Sequence, residues 1–357
     1  MTLDPELAAW LDAHADGLDC GSTDAAALLP RLATAGLIGA GVPIAAGGSG
    51  GSCSSAIGAV AALARHSQAA AFVLWAQRVF IEYLLQSPNR ALAEAYLPGL
   101  LAGTTAGASG LSNAMKFLGG IEALQVEARR RTDGWQLDGR VPWATNLLAQ
   151  RFVVAVAASD AAGGAPAVFA VPATQAGVQR SADLDLVGLR GTATAALALS
   201  QVPLGPEHLL HEDARSYLPR VRPAFLGMQC GLSIGLARRC LASVRGSEDS
   251  GRALLAEPAA AIAADLDAAA ARLSAGVDAG AFVDAPRALF LLRIQLAELA
   301  QQAAQLELQA RGGAGYLHGR HGGFARRWRE AAFLPIVTPS LVQLRTELAR
   351  GSARQAA

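Results

Sequence analysis

LQVEARRRTDGWQL, residues 124–137, is the stretch at which the chain changes character. Leu124, Val126 and Ala128 alternate with Gln125, Glu127 and Arg129, a period of two that sends successive side chains to opposite faces of a strand. Thr132-Asp133-Gly134 supplies a turn, and Trp135 and Leu137 resume the alternation beyond it, so the stretch reads as a hairpin. Downstream, FVVAVAA (152–158) and AVFAVPA (167–173) are short apolar runs separated by Gly-Gly and Pro signals. Strands are therefore expected to about Leu210, forming a small antiparallel barrel or sandwich.

On either side the apolar spacing is helical. From Asp24 to about Gly103 the runs AAALLPRLATAGL, SAIGAVAALARHS, AFVLWAQRVFIEYLLQ and ALAEAYLPGLLAG are parted by Gly or Pro. After Pro219 the helical period returns in AFLGMQCGLSIGLARRCLASV, in AAAIAADLDAAAARLSAGV and from Ala288, where Leu292, Leu296 and Leu299 share a face. The order helices, strands, helices excludes an alternating, doubly wound sheet and gives an α+β chain. Its expected parts are an N-terminal α-helical domain (1–103), a middle antiparallel β-barrel (104–214) and a C-terminal helical bundle (215–357).

Composition narrows the function classes. A chain of 357 residues suits several packed modules rather than one small core. The balance of 30 Lys+Arg against 29 Asp+Glu leaves no basic field for nucleic acid or an acidic membrane. Cys20, Cys53, Cys230 and Cys240 are scattered without metal-ligand spacing or a disulfide framework. Leu32–Ala64 carries no charge, but Pro43 and its many Gly and Ser residues make it a buried segment rather than a membrane span. The first residues, MTLDPELAAW, lack the basic and apolar regions of a secretory signal, and a cytoplasmic protein is expected.

Several motifs carry competing readings. Gly47-Gly48-Ser49-Gly50-Gly51 fits GxSxG, but a nucleophile elbow needs a parallel sheet beneath it, so a plain glycine loop is the better reading. His318 and His321 have the spacing of a ligand pair, yet lie in the Gly/Arg-rich run HGRHGG and read as a solvated loop. In PWATN (142–146), Trp143 and Thr145 stand two residues apart on a strand and would point to one face, with a core tryptophan as the alternative. Gly312-Gly313-Ala314-Gly315 follows a long helix bearing Gln309, and either caps it or lets backbone approach a ligand. Lys116 faces a substrate anion or is an exposed loop lysine, and Gln77 and Arg78 point into a pocket or lie at the surface.

In this order the pieces resemble an acyl-CoA dehydrogenase from about residue 24 to residue 350. GLIGAGVPIAAGGSGGS (36–52) resembles GLxGxxVPxxxGGxGGS, and DGWQLDGRVPWATN (133–146) is similar to DGYxLNGxKxWITN. GLRGTATAALALSQVPLGPEHLL (188–210) resembles the segment that closes the family's barrel. QARGGAGY (309–316) looks like QxxGGxGY, and RRWREAAFLPIVTPS (326–340) tracks RxYRDxRxxPIYEGT.

The resemblance implies a four-helix C-terminal bundle and noncovalent FAD in the cleft between barrel and bundle. It also implies a homodimer or homotetramer in which a second chain contacts the adenosine. Trp143 and Thr145 would flank the flavin ring, Ser112 would contact it, and Gln309, Gly312 and Gly313 would serve the adenine half. Ser340 takes the place of the family's EGT threonine. The implied activity is α,β-dehydrogenation of an acyl-CoA or other acyl thioester with hydride transfer to flavin N5, and an electron-transfer partner. The family's catalytic Glu is replaced by Thr338, whose hydroxyl is no general base near neutral pH, and the first bundle helix offers no carboxylate near Phe225. The loop after Ser112 also departs from the family pattern, with Met115-Lys116-Phe117-Leu118. A flavin monooxygenase on the same fold and a catalytically silent subunit are the alternative readings.

Overall fold

The computed structural model describes residues 2–245, 250–317 and 323–356. Five helices open the chain: α1 (Pro5–Cys20), α2 (Leu28–Thr34), α3 (Cys53–Ala64), α4 (Gln68–Leu85) and α5 (Arg90–Leu101). Their ends are written in side chains. Asp4 accepts from the amides of Glu6 and Leu7 ahead of Pro5, Ser67 caps α4, and Asn89 caps α5. α1 stops at Gly21 in the left-handed conformation, φ 82°. α4 is buried on nearly every side, as a helix apolar all round must be.

The glycine run of residues 47–51 is a loop closed on itself. Ser49 N–H donates to the Gly39 carbonyl, Gly50 to Val42 and Gly41 to Gly50. A Cβ at Gly48 would lie 2.3 Å from the Val42 carbonyl oxygen, so glycine there serves packing. Exposed Ser49 belongs to this turn and not to a strand–helix elbow.

The strands are β1 (Ala106–Ser109), β2 (Val126–Arg131), β3 (Gly134–Ala144), β4 (Phe152–Asp160), β5 (Ala167–Pro172), β6 (Val178–Arg180), β7 (Ala195–Leu204) and β8 (Leu209–His211). The short helix α6 (Ser112–Leu118) separates β1 from β2. β2 and β3 form the hairpin read from the sequence, with Arg131 opposite Gly134. The sheet order is β6-β7-β3-β2-β4-β5-β8, with β1 attached to β4. The expected antiparallel barrel is corrected on two counts. Its end strands β6 and β8 are not paired with each other, so the sheet is not a closed barrel, and β4 pairs with β1 and β2 in parallel. Alternation reports that a segment is a strand but not the direction of its neighbour, which is set by the connections between strands.

The remaining helices are α7 (Ala214–Arg245), α8 (Ala256–Asp278), α9 (Pro286–Arg311), α10 (Phe324–Phe333) and α11 (Leu341–Ala356). α7 begins at Ala214, ahead of Pro219, and carries both Pro219 and Pro223 within it. α7, α8 and α9 pack on one another, α10 and α11 lie against α9, and α3 and α4 also pack on α7. The implied four-helix bundle is thus extended by a fifth C-terminal helix and by helices of the first module.

The α3–α7 contact is close because Gly227, Gly231 and Gly235 recur every four residues along one face of α7. A Cβ at Gly231 would meet the Ile57 carbonyl oxygen at 2.8 Å, and one at Gly235 would meet that of Ala61 at 2.2 Å. Among the described residues no helix is long and apolar enough to cross a membrane.

Helix propensity alone favours Gly235→Ala by roughly 1 kcal/mol, whereas the backbone clash costs about 1–3 kcal/mol. The clash is expected to win, so Gly235→Ala should lower the urea midpoint, while Gly58→Ala, which meets nothing within 4 Å, should raise it.

Candidate functional site

β4 has two parallel neighbours on one edge. β1 runs along its first half, Ala106 to Ser109 opposite Phe152 to Ala155, and β2 joins only at Ser159 and Asp160. Between these pairings the edge of β4 at Val156 and Ala157 is left open, and there the chain leaves the sheet as α6. The result is a recess floored by Val126, Val141, Val156 and Ala157, with Ser112 and Trp143 at its lip. At about 40 Å³ it is too small to enclose a nucleotide cofactor. Trp143 is 57% exposed there, an unusual state for so large an apolar surface.

The two-residue spacing placed Trp143 and Thr145 on one face. In the structure a register shift between Val141 and Ala144 interrupts the alternation, leaving Trp143 outside and Thr145 buried. The Thr145 hydroxyl is 2.9 Å from that of Thr194, which is 2.8 Å from that of Thr192. Asn146, at φ 66°, is buried and donates to Gln77 Oε1 and to the Gly107 carbonyl.

Gln77 is neither pocket-facing nor at the surface. Its Nε2 donates to the carbonyls of Leu100 and Thr105, and its Oε1 accepts from Gly107 N–H, so it brackets α4, α5, β1 and the end of β3. Arg78 is likewise fully buried, with Nε donating to the Ala40 carbonyl. Its guanidinium is held below its ordinary affinity for a proton by burial, against the nearby Glu82 carboxylate. Nothing in the residue types distinguished these from surface polar groups, because their partners are atoms distant in sequence. Lys116 lies on α6 rather than in an exposed loop, and its Nζ is 2.5 Å from Glu122 Oε1.

Thr338 and Ser340 form a strap between α10 and α11. The Thr338 carbonyl accepts from Gln229 Nε2 at 2.8 Å. Gln229 Oε1 in turn faces Arg293 Nε at 3.4 Å, and Arg293 donates to the Leu334 carbonyl at 2.8 Å. Both supporting side chains are fully buried. Ser340 starts α11 as half of a capping box: its N–H donates to Gln343 Oε1, and its hydroxyl oxygen accepts from Gln343 N–H. That pattern, Ser-x-x-Gln, was legible in the sequence.

Gln309, Gly312 and Gly313 sit exposed at the end of α9, away from helix interiors, beside Tyr316 at 87% exposure. Gly312 adopts φ 56° at the helix end. The turn is anchored by fully buried Glu307, which accepts from Arg311 Nε at 2.8 Å and Arg327 Nε at 3.1 Å. Those two guanidinium groups hold its carboxyl below the usual range although burial pushes the other way. The arginines of RRWRE are therefore committed to structure: Arg326 to Asp16 and Glu330, Arg327 to Glu307, Arg329 to Asp19. His318 and His321 lie outside the described residues.

A pair missed in the sequence stands where α6, α7 and α11 meet. Glu347 Oε1 is 3.5 Å from Arg222 Nη1, and the Arg222 guanidinium lies 5.2 Å from the Phe290 ring centre. No local pattern marks either residue, since they are 125 positions apart and meet only through helix packing.

Residues 6–104 match the family profile described as "Acyl-CoA dehydrogenase, N-terminal domain". The mitochondrial isovaleryl-CoA dehydrogenase of Arabidopsis thaliana is 25% identical over 137 residues, 38% of this chain and 33% of that protein. The match thus spans about a third of that relative's length. Among solved structures, butyryl-CoA dehydrogenase from Megasphaera elsdenii is similar with a TM-score of 0.82, at 20% identity over 97% of this chain and 96% of that one. PigA, solved with FAD and proline, is similar with a TM-score of 0.79, at 16% identity over 99% of each chain. The N-terminal helices thus match the acyl-CoA dehydrogenase family profile, and the helix–sheet–helix fold of the whole chain is that of butyryl-CoA dehydrogenase.

Proposed function

We propose that this protein is a flavin-dependent oxidoreductase acting on an acyl thioester, with FAD lying across the recess beside Trp143. The observation that carries the reading is the exposed Trp143 indole at the lip of an apolar recess, opened where β1 and β2 part along β4. A planar ring of mixed polarity fits that place: the floor is valine and alanine, and Trp143 offers a flat face for stacking. When bound, the flavin would accept the hydride of an α,β-dehydrogenation.

The chain's own residues would bind and orient. Ser112 and Trp143 would meet the ring from the sheet side, and buried Thr145 would fix the backbone behind it through Thr194 and Thr192. Ser340 would act through the start of α11 as well as by any contact of its own, because its hydroxyl oxygen already receives the Gln343 amide. Gln229 and Arg293 hold the strap between α10 and α11, and Thr338 itself cannot take a proton near neutral pH. Exposed Gln309, Gly312, Gly313 and Tyr316 suit contact with the adenine half of a cofactor held by a second copy, in a homodimer or homotetramer. An electron-transfer partner would reoxidise the flavin.

The threonine at position 338 also favours a second reading, a flavin monooxygenase on the same fold, which needs no carboxylate in the strap.

The purified protein is expected to show a visible flavin spectrum that bleaches anaerobically with at least one acyl-CoA of a chain-length series. Bound flavin that stays oxidised with every thioester, yet turns over with oxygen once chemically reduced, would replace the first reading by the second. Trp143→Ala should weaken FAD binding about tenfold, a loss of roughly 1.4 kcal/mol, in a fluorescence titration. Gln229→Leu leaves the Thr338 carbonyl without its donor; amide hydrogen exchange at 337–341 should accelerate and stability should fall by about 1–3 kcal/mol.

A further inference from the structure

A second concavity opens where the turn after α1 meets two connections of the sheet. It is a cleft of about 390 Å³, walled by residues of the turn 21–26, of the β3–β4 connection at 148–151 and of the segments around Arg180 and Arg190. It shares no lining residue with the recess beside Trp143. Three guanidinium groups, those of Arg151, Arg180 and Arg190, converge on it from three separate segments of the chain.

Like charges gathered this way repel unless each is neutralised, and only one of them is. Arg180 is committed: Nε donates to the Leu147 carbonyl and Nη1 to that of Ser181, each at 2.7 Å, and Nη2 pairs with Asp183. Arg190 is 45% exposed and lies 2.9 Å from Asp185, which is 87% exposed, so water screens that pair. The Arg190 stem runs along Gly21, where a Cβ would stand 3.0 Å from its own, so the missing side chain of residue 21 makes the room. The Arg151 guanidinium is exposed and finds no partner among the described residues. Of the carboxylates at the rim, Asp183 belongs to Arg180, and Asp24 accepts the Ala26 amide with Oδ1, which leaves Oδ2 for a ligand hydroxyl.

The backbone around the cleft is held in costly shapes. Gln150, Leu189 and Ala193, at φ 59°, 57° and 48°, are three of the five non-glycine residues in the left-handed region among the described residues, and each lines the cleft or adjoins a residue that does. Leu189 is pinned there by its N–H, which donates to buried Asp19 at 2.8 Å. Such conformations persist only where the surroundings impose them, and they gather at ligand sites.

We infer that this cleft binds a mononucleotide. Arg151 and Arg190 hold its phosphate, since planar guanidinium forks take phosphate oxygens two at a time. Asp24 accepts from a sugar hydroxyl, and Leu148 and Ala149 offer the base an apolar wall. The volume falls in the range of small-ligand sites, and the apolar wall gives it more than a bare anion needs. The inference stands apart from the flavin reading, because the two concavities have no residue in common.

The test is calorimetric titration of the purified protein with the four ribonucleoside 5′-monophosphates, with adenosine and with inorganic phosphate. At least one mononucleotide should bind, about tenfold or more tighter than inorganic phosphate, and adenosine should not bind. Arg151→Ala, at an exposed site with no partner to lose, should melt as wild type does and weaken mononucleotide binding about tenfold. Arg151→Lys, which keeps the charge without the fork, should fall between the two, and Trp143→Ala should leave the affinity unchanged. No mononucleotide binding by wild type, an affinity unaltered in Arg151→Ala, or phosphate or adenosine binding as tightly as the mononucleotide overturns the assignment. Loss of mononucleotide binding in Trp143→Ala but not in Arg151→Ala would move the ligand to the recess and overturn it equally.

Discussion

Everything else in the molecule hangs on the backbone-to-backbone approach of α3 and α7. Three glycines at four-residue intervals remove the side chains that would hold these helices apart, and carbonyl groups of Ile57 and Ala61 fill the space. This contact joins the first helical module to the last. It also closes a chamber in which α4 is buried on nearly every side, so its polar groups turn to partners inside the protein, although the two terminal nitrogens of Arg78 find no hydrogen bond. Gln68 reaches the Leu232 carbonyl, Gln77 the loops around β1, and Tyr83 the Ser109 hydroxyl. Tyr217 of α7 completes the link by donating to the Tyr83 carbonyl at 2.6 Å. Through these bonds the helical layer dictates where β1 lies, and β1 dictates where the sheet opens.

The candidate site is a consequence of that opening. A strand edge shared by two partial neighbours leaves a few residues unpaired, and the chain uses the gap to send out α6. Asn113 secures the return, donating to the Ala123 carbonyl and accepting from Gln125 N–H. At its far end the Gly119 and Gly120 carbonyls accept from Arg350 of α11. The helix is therefore a bridge between sheet and bundle, and the charged groups at its ends, Lys116 with Glu122 and Arg222 with Glu347, occupy the seam. The fold and the N-terminal family match leave the chemistry open, because one scaffold can carry different reactions.

Much of this was legible from the residues. The hairpin could be read from alternation around Thr132-Asp133-Gly134, and the glycine loop from its overfilled GxSxG pattern. The capping box of Ser340 and Gln343 is equally legible, as Ser-x-x-Gln at the start of a helical run. The bulge that parts Trp143 from Thr145 was not legible: alternation assumes an unbroken ladder, and the break arises from pairing with β7, more than fifty residues on. Nor were the roles of Gln77 and Arg78, whose partners are main-chain atoms and, for Gln77, the Asn146 side chain, all remote in sequence.

The sequence by itself determined the order of helices and strands, the caps and turns that bound them, and the resemblance its motifs carry, because these depend on neighbours within a few positions or on motifs in register. Only the tertiary structure decided the parallel pairing of β4, the opening of the sheet, the fate of each buried polar side chain and the meeting of Arg222 with Glu347. Those outcomes depend on pairings between segments remote along the chain, where a residue's partner is fixed by packing geometry and carries no mark in its local sequence.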